Sequence, residues 1–382
     1  MAIDDARRSA VAPVTASVDT LPPPETVLVA PKPAGGKGLL LAVCCVAQFM
    51  VILDLSIVNV ALPSIQSSLK FSASDLQWVV DAYAIIFAGF LMLAGRAGDL
   101  WGQRRTFVAA LTLFSTASLI GGLAPTSGVL IGARALQGLA GALMAASSLA
   151  IITASFEAGP ARHRAVGLWG AMNGAGGAAG TLLGGVITQE LSWRWVLLIN
   201  LPIGLVAAVV ASAVVADRRS DRRTTFDLAG ALLLTIGLLL NAYGAVTAGS
   251  DGWDSAAALV PIAVGSVLLS LFGVVEKRFA RAPLIPPGAL TRPLRNINVI
   301  VLLFSAALFP MWYVGSLYLQ QVLALTPLAT GLVFLPMALT IFACASQAGK
   351  LALRVGVRPV LGGGLIMMTA GMLLFARIGA SG

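Results

Sequence analysis

Eleven apolar runs of roughly twenty residues follow one another along the sequence, each long enough to cross a bilayer as a helix. They are expected at 39–62, 77–96, 106–124, 129–152, 165–188, 196–216, 227–247, 256–275, 297–320, 328–348 and 358–377. A backbone in hydrocarbon has to satisfy its own hydrogen bonds, and a helix does so within one segment. The expected fold class is therefore an all-α polytopic membrane protein. Composition agrees, with 58% hydrophobic and 11% charged residues, where a soluble domain has roughly 45–50% and 25%.

The net charge of +9 would suggest nucleic acid only if the basic residues shared a water-soluble face. Instead most of the 25 lysines and arginines fall in the N-terminal tail and in the turns after the even-numbered runs. That asymmetry holds the basic side in the cytoplasm and places the N-terminus there. Trp78, Trp193, Trp195 and Trp253 then fall at the outer ends, as an interfacial aromatic belt would. Residues 1–38 are Pro-rich and without a signal-peptide pattern, which reads as a disordered cytoplasmic tail. Cys44, Cys45 and Cys344 lie in apolar runs and read as buried thiols. No Cys/His spacing suits a metal, and the lone His163 has no nucleophile–base set around it, so no cofactor and no enzyme are expected.

A weak repeat organises the chain. Gly95, Gly102 and Arg104 in "GRAGDLWGQRR" match Gly349, Gly356 and Arg358 in "GKLALRVGVRP" at a constant offset, both at cytoplasmic turns. Two pseudosymmetric bundles are implied, with two helices inserted between them. The expected division is a tail at 1–38, a six-helix bundle at 39–216, the inserted pair and a linker at 217–295, and a partial second bundle of about three helices at 296–382.

Asp54, in the run "VILDLSIVNVALP", is the most conspicuous group, because a charge at bilayer depth costs about 2.5–3.5 kcal/mol on insertion scales. Asp81 and Arg134 fall at comparable depth in the second and fourth runs, and Gln137 lies one turn beyond Arg134 on the same face. Burial and a nearby arginine pull a carboxyl's proton affinity in opposite directions, which suits a group that exchanges protons and attracts lipophilic cations. The alternatives are a cross-helix hydrogen bond for Asp54 and a snorkelling side chain for Arg134.

Several motifs carry a family likeness in order: "LDLSIVNVALP", "GRAGDLWGQRR", "RALQG", the Gly-rich fifth run "GAMNGAGGAAGTLLGGVI", "WRWVLLINLPIG" and "PLATGLVFLP". Together they resemble the fourteen-helix drug:proton antiporters of the major facilitator superfamily, from about residue 39 to the C-terminus. The resemblance implies a role in proton coupling for Arg134. It implies an inner-gate latch for the loop bearing Gly95, Gly98, Asp99, Gly102, Arg104 and Arg105, for which a plain basic turn is the alternative. It implies the antiporter motif of the exporting branch for Gly176, Gly180, Gly184 and Gly185, with Thr181 standing where the family's proline is usual. Close packing alone is the other reading of those glycines.

Trp312, Tyr313, Gln320 and Gln321, in and just past the ninth run, are candidates to line a cavity, where aromatic faces suit flat cations; packing is the other reading for most of them. The expected function is proton-coupled export of amphipathic or cationic small molecules by a monomer in the cell membrane, by alternating access. A non-transporting remnant and an exporter of another metabolite class stay open, since the second bundle looks about three helices short.

Overall fold

The computed structural model describes residues 36–216, 228–278 and 291–377. The tail expected over 1–38 lies outside them except for its last residues, where the first helix has already begun. The turn at 217–227 and the linker at 279–290 also lie outside them. All regular structure among the described residues is helical. The long helices are α1 (Lys37–Leu69), α2 (Trp78–Trp101), α3 (Gln103–Gly122), α4 (Ser127–Ser155), α5 (Pro160–Glu190) and α6 (Trp195–Val214). There follow α7 (Leu228–Asp251), α8 (Ala256–Arg278), α9 (Arg292–Val322), α10 (Pro327–Val355) and α11 (Val357–Phe375).

Each helix coincides with one of the eleven apolar runs, falling short of it by at most two residues at either end and in most cases extending beyond it at the other. Nine of those in the described residues are long and apolar enough to cross a membrane. The other two are the glycine-rich α5 and α10, whose apolar part is Pro327–Ile341.

The ends of these helices follow from local chemistry. Thr126 and Thr326 cap α4 and α10 by accepting from Val129 N and Ala329 N. Pro160 and Pro327 occupy first-turn positions, where a missing N–H costs nothing. The turn between α2 and α3 is tighter than the sequence suggests, because α2 runs to Trp101 and α3 starts at Gln103. Gly102 alone makes the break, with φ of 94°, a region closed to most side chains. Gly356 makes the same break between α10 and α11, with φ of 92°. The repeat read from the sequence is thus a repeated backbone device.

Packing differs along the chain. Helices α1, α3 and α4 are the most buried of the candidate spans, and α6 closes on α3 through Gly204, which lies against Ser115. Arg194, just before α6, donates to the Gly122 and Ala124 carbonyls at 3.1 and 2.8 Å and so caps the end of α3. α5 lies along α1 through Gly176, Gly180 and Gly184, where an added Cβ would meet the α1 backbone or Ser56. Small residues let the two backbones approach where lipid offers no hydrophobic drive. Thr181 leaves α5 unbroken and turns its hydroxyl back to Gly177 and Ala178.

The pair α7 and α8 packs on itself through Gly237, Gly244, Gly265 and Asn241. It rests on α2, where Thr235 donates to the Gly89 carbonyl at 2.8 Å and Tyr243 meets the Trp78 ring. Two expectations change. Trp193 is buried, with its ring against Arg194, so of the four tryptophans it is Trp195 and Trp253 that stand exposed. Cys344 is exposed on α10 rather than buried.

Candidate functional site

Asp54 is wholly enclosed at the centre of five helices. Its Oδ2 pairs with Arg134 Nη1 from α4. Its Oδ1 accepts from Gln137 Nε2 at 2.9 Å and from Asn200 Nδ2 of α6 at 3.0 Å. Gln137 also donates to Ser118 of α3 at 2.8 Å. Arg134 donates through Nε to the Val79 carbonyl of α2 at 2.8 Å and through Nη1 to Gln137 Oε1 at 2.9 Å. Its guanidinium carbon lies 4.5 Å from the centre of the Tyr83 ring, and the Tyr83 hydroxyl reaches back to the Val51 carbonyl at 3.5 Å.

The charge is therefore compensated and hydrogen-bonded on every side, which is the condition for keeping an ion pair in a dry interior. Helix geometry explains why it can assemble. Arg134 and Gln137 are three apart and share a face, while Gly138 and Gly141 beside them let α4 close on the Tyr83 backbone and ring. Snorkelling is excluded for Arg134, which is 1% exposed.

The other candidates fall elsewhere. Asp81 is half-buried on α2 and joins neither Arg134 nor Gln137; it lies near Tyr313 of α9. Gly95, Asp99 and Arg105 are exposed, Gly98 is buried, and Arg104 is half-buried at the α2–α3 turn. Gly98 serves through its carbonyl, which accepts from Gly102 N at 3.1 Å.

Gly185 turns away from α1 towards α10, where a Cβ would lie 2.5 Å from the Pro327 carbonyl oxygen. Reciprocally, a Cβ on Gly331 would lie 2.5 Å from the Thr181 carbonyl oxygen. Trp312 rests on Gly177, and its Nε1 is buried without a partner among the described residues.

Gln320 and Gln321 tie α9 to α1. Gln320 Nε2 donates to the Val60 carbonyl at 3.0 Å, and Gln321 Nε2 to Gln66 Oε1 at 3.2 Å. Beside them Ser316 Oγ donates to the Asn59 carbonyl at 2.9 Å. That carbonyl is the one left without an intrahelical donor by Pro63, four residues on. Three residues of these two clusters carry more than the sequence suggested. Asn200 reads as a family mark within "INLPIG", Ser118 as one hydroxyl among many, and Ser316 as nothing at all.

Comparison with known proteins places this architecture. The pattern described as Major Facilitator Superfamily matches residues 44–382. The cephamycin export protein of Amycolatopsis lactamdurans is 44% identical over 302 residues, covering 78% of this chain and 62% of that one. The puromycin resistance protein of Streptomyces alboniger is 39% identical over 340 residues, covering 88% and 67%. This chain thus spans about two thirds of the length of such relatives.

Among solved structures, the peptide transporter POT bound to sulfate superposes with a TM-score of 0.59 at 14% identity, over 86% of this chain and 71% of that one. The human organic anion transporter MFSD10 gives 0.54 at 15% identity, over 87% and 82%. At such low identity the likeness speaks for the fold. With the family pattern running through nearly the whole helical region, the chain belongs to the Major Facilitator Superfamily.

Proposed function

We propose that this chain exports amphipathic, antibiotic-like small molecules across the cell membrane in exchange for protons, with the N-terminus in the cytoplasm. The observation that carries the reading is the sealed Asp54–Arg134–Gln137 cluster. With Asp54 ionised the pair is neutral overall. Protonation of Asp54 leaves Arg134 still held by the Val79 carbonyl, Gln137 Oε1 and the Tyr83 ring, so the site can carry one unbalanced positive charge without collapsing. A site that alternates between neutral and positive alternately tolerates and repels a cationic passenger. For a neutral passenger each inward proton gains roughly 2.3 kcal/mol at about 100 mV, on the order of a fifty-fold gradient of exported compound; for a monovalent cation exchanged one for one the charges cancel and the pH gradient alone drives export.

Alternating access has a supporting geometry. The first six helices act as one rocking unit and 296–382 contributes the other. The two meet along α1–α9 and α5–α10 near residues 59–66, 181–188, 316–321 and 327–331, at the ends assigned to the outside. Two backbones in contact through glycine, joined by neutral hydrogen bonds, form a seam that can part. Asp81, with Tyr313 nearby, and Trp312 belong to the cleft side of this seam, where a flat cation would meet them. The loop at Gly95–Arg105 is assigned to the cytoplasmic gate.

The test is accumulation of a fluorescent lipophilic cation in inside-out vesicles with an acidified lumen. The chain drives accumulation that collapses with the pH gradient and is lost in Asp54→Asn. Accumulation indifferent to Asp54→Asn removes the proton mechanism. A folded chain that accumulates nothing makes it a non-transporting member.

A further inference from the structure

The Asp54 cluster contains one acceptor that the ionised state does not use. Asn200 Oδ1 is buried with no hydrogen-bond partner among the described residues, while the Nδ2 of the same amide donates to Asp54 Oδ1 at 3.0 Å. Asn200 itself is 0% exposed and opens the main segment of α6, next to the irregular residue Ile199. A buried carbonyl oxygen left unpaired in a dry interior is costly and calls for a purpose.

Gln137 offers a contrast. Its Oε1 already accepts from Arg134 and its Nε2 serves both Asp54 and Ser118, so reversing that amide would break three bonds. Reversing the Asn200 amide breaks one. The two ends of a carboxamide have nearly the same shape, so the reversal needs no extra room.

We propose that Asn200 is a positioning residue that follows the protonation state of Asp54, donating through Nδ2 to the carboxylate and, after its amide turns over, accepting through Oδ1 from the carboxyl O–H. The inference rests on proton exchange at Asp54. The step is a proton transfer alone: hydronium from the aqueous phase gives its proton to Asp54 and leaves as water. No other bond changes.

Among the described residues the ionisable groups beside Asp54 are Arg134 from α4, which pairs with it, and Tyr83 from α2, whose ring lies against that guanidinium. α3 and α6 present Ser118 and Asn200, and α5 lies on α1 through glycines. Arg134 is a permanent cation and cannot accept from a carboxyl O–H, and Gln137 Oε1 is occupied. Asn200 is the amide left to take that proton's hydrogen bond, and it holds the carboxyl in place during the interval when Arg134 has lost its counter-charge.

Infrared difference spectroscopy of the full chain in lipid nanodiscs, stepped from alkaline to acid pH, tests this with side-chain-labelled asparagine. The carboxyl band assigned by its loss in Asp54→Asn is expected to grow together with a labelled amide band, and Asn200→Leu and Asp54→Asn each abolish that amide band. A carboxyl band that titrates while the asparagine amides stay silent in the wild-type chain overturns the role of Asn200 and leaves proton exchange standing. The absence of any carboxyl band that depends on Asp54 overturns the proton-coupled reading, and the Asn200 inference with it. Because the deciding readout is the wild-type amide band, a poorly folding Asn200→Leu does not rescue the proposal.

Discussion

Inside the first six helices, α1 meets α4 through an ion pair sealed from solvent; about one and a half turns further along, the same helix meets α9 through neutral hydrogen bonds to its own backbone. The first junction uses a charge, a second charge and two amides, and each depends on the others. The second uses backbone carbonyl oxygens, and hydrogen bonds between membrane helices average only about 0.6 kcal/mol each. A junction of the first kind holds one arrangement, because removing any member strands a buried charge. One of the second kind costs little to part.

The comparison breaks most decisively at Arg134. Arg134→Leu leaves the Asp54 carboxylate enclosed without its cation, at a cost of about 3–5 kcal/mol. A large fall in the thermal unfolding temperature of the purified protein is expected, with efflux lost. Adding Asp54→Asn to Arg134→Leu removes the stranded charge and recovers much of the unfolding temperature, though no transport. If the double variant unfolds as early as Arg134→Leu, the pair is not what holds the junction.

Glycine replacements sharpen the contrast at an intermediate scale. In Gly138→Ala the new methyl runs into the Tyr83 backbone inside the first bundle, while in Gly185→Ala it meets the Pro327 carbonyl at the seam. Overpacking a tight site costs about 1–3 kcal/mol when neither side can move. Gly138→Ala should therefore lower the unfolding temperature. Gly185→Ala should instead push α10 away, leaving that temperature near wild type while a cysteine placed at Thr188 reacts faster with a water-soluble thiol reagent. Equal losses of stability in both variants would mean that the seam is as fixed as the core.

What could be read in advance divides along the same line. Eleven helices were legible because the drive to insert is summed locally over about twenty residues. Asp54 and Arg134 were legible because a charge in an apolar run is expensive wherever the run ends up, and Gln137 because it lies three residues from Arg134 on the same face. Asn200, Ser118 and Tyr83 were not, since neutral polar groups are ordinary in such runs and only the tertiary arrangement gathers them around one carboxylate. For Gln320 and Gln321 the sequence left both a cavity and packing open, because it does not say whether the partner of a polar side chain is a ligand or the next helix. The turn at Gly102 came out shorter than expected because a single residue with positive φ reverses the chain direction where a loop of several residues was drawn.

The finest test concerns Pro63 and Ser316. Proline at 63 removes the N–H that would close the helical bond to the Asn59 carbonyl, and Ser316 of α9 supplies a hydroxyl at 2.9 Å in its place. If that is why α9 docks here, the two residues are coupled in a defined direction. Ser316→Ala alone strands a buried carbonyl and weakens the closed seam by about 0.6 kcal/mol, and by no more than roughly 1.7 kcal/mol. Pro63→Ala returns the intrahelical donor, so the Asn59 carbonyl no longer needs α9. In that background Ser316→Ala should cost close to nothing. The seam population, read from spin labels on α1 and α9 across the full chain, gives the four corners of the cycle. A cost for Ser316→Ala that is the same with either residue at 63 would mean that the hydroxyl merely fills space, and that the proline shapes α1 for some reason unrelated to its partner helix.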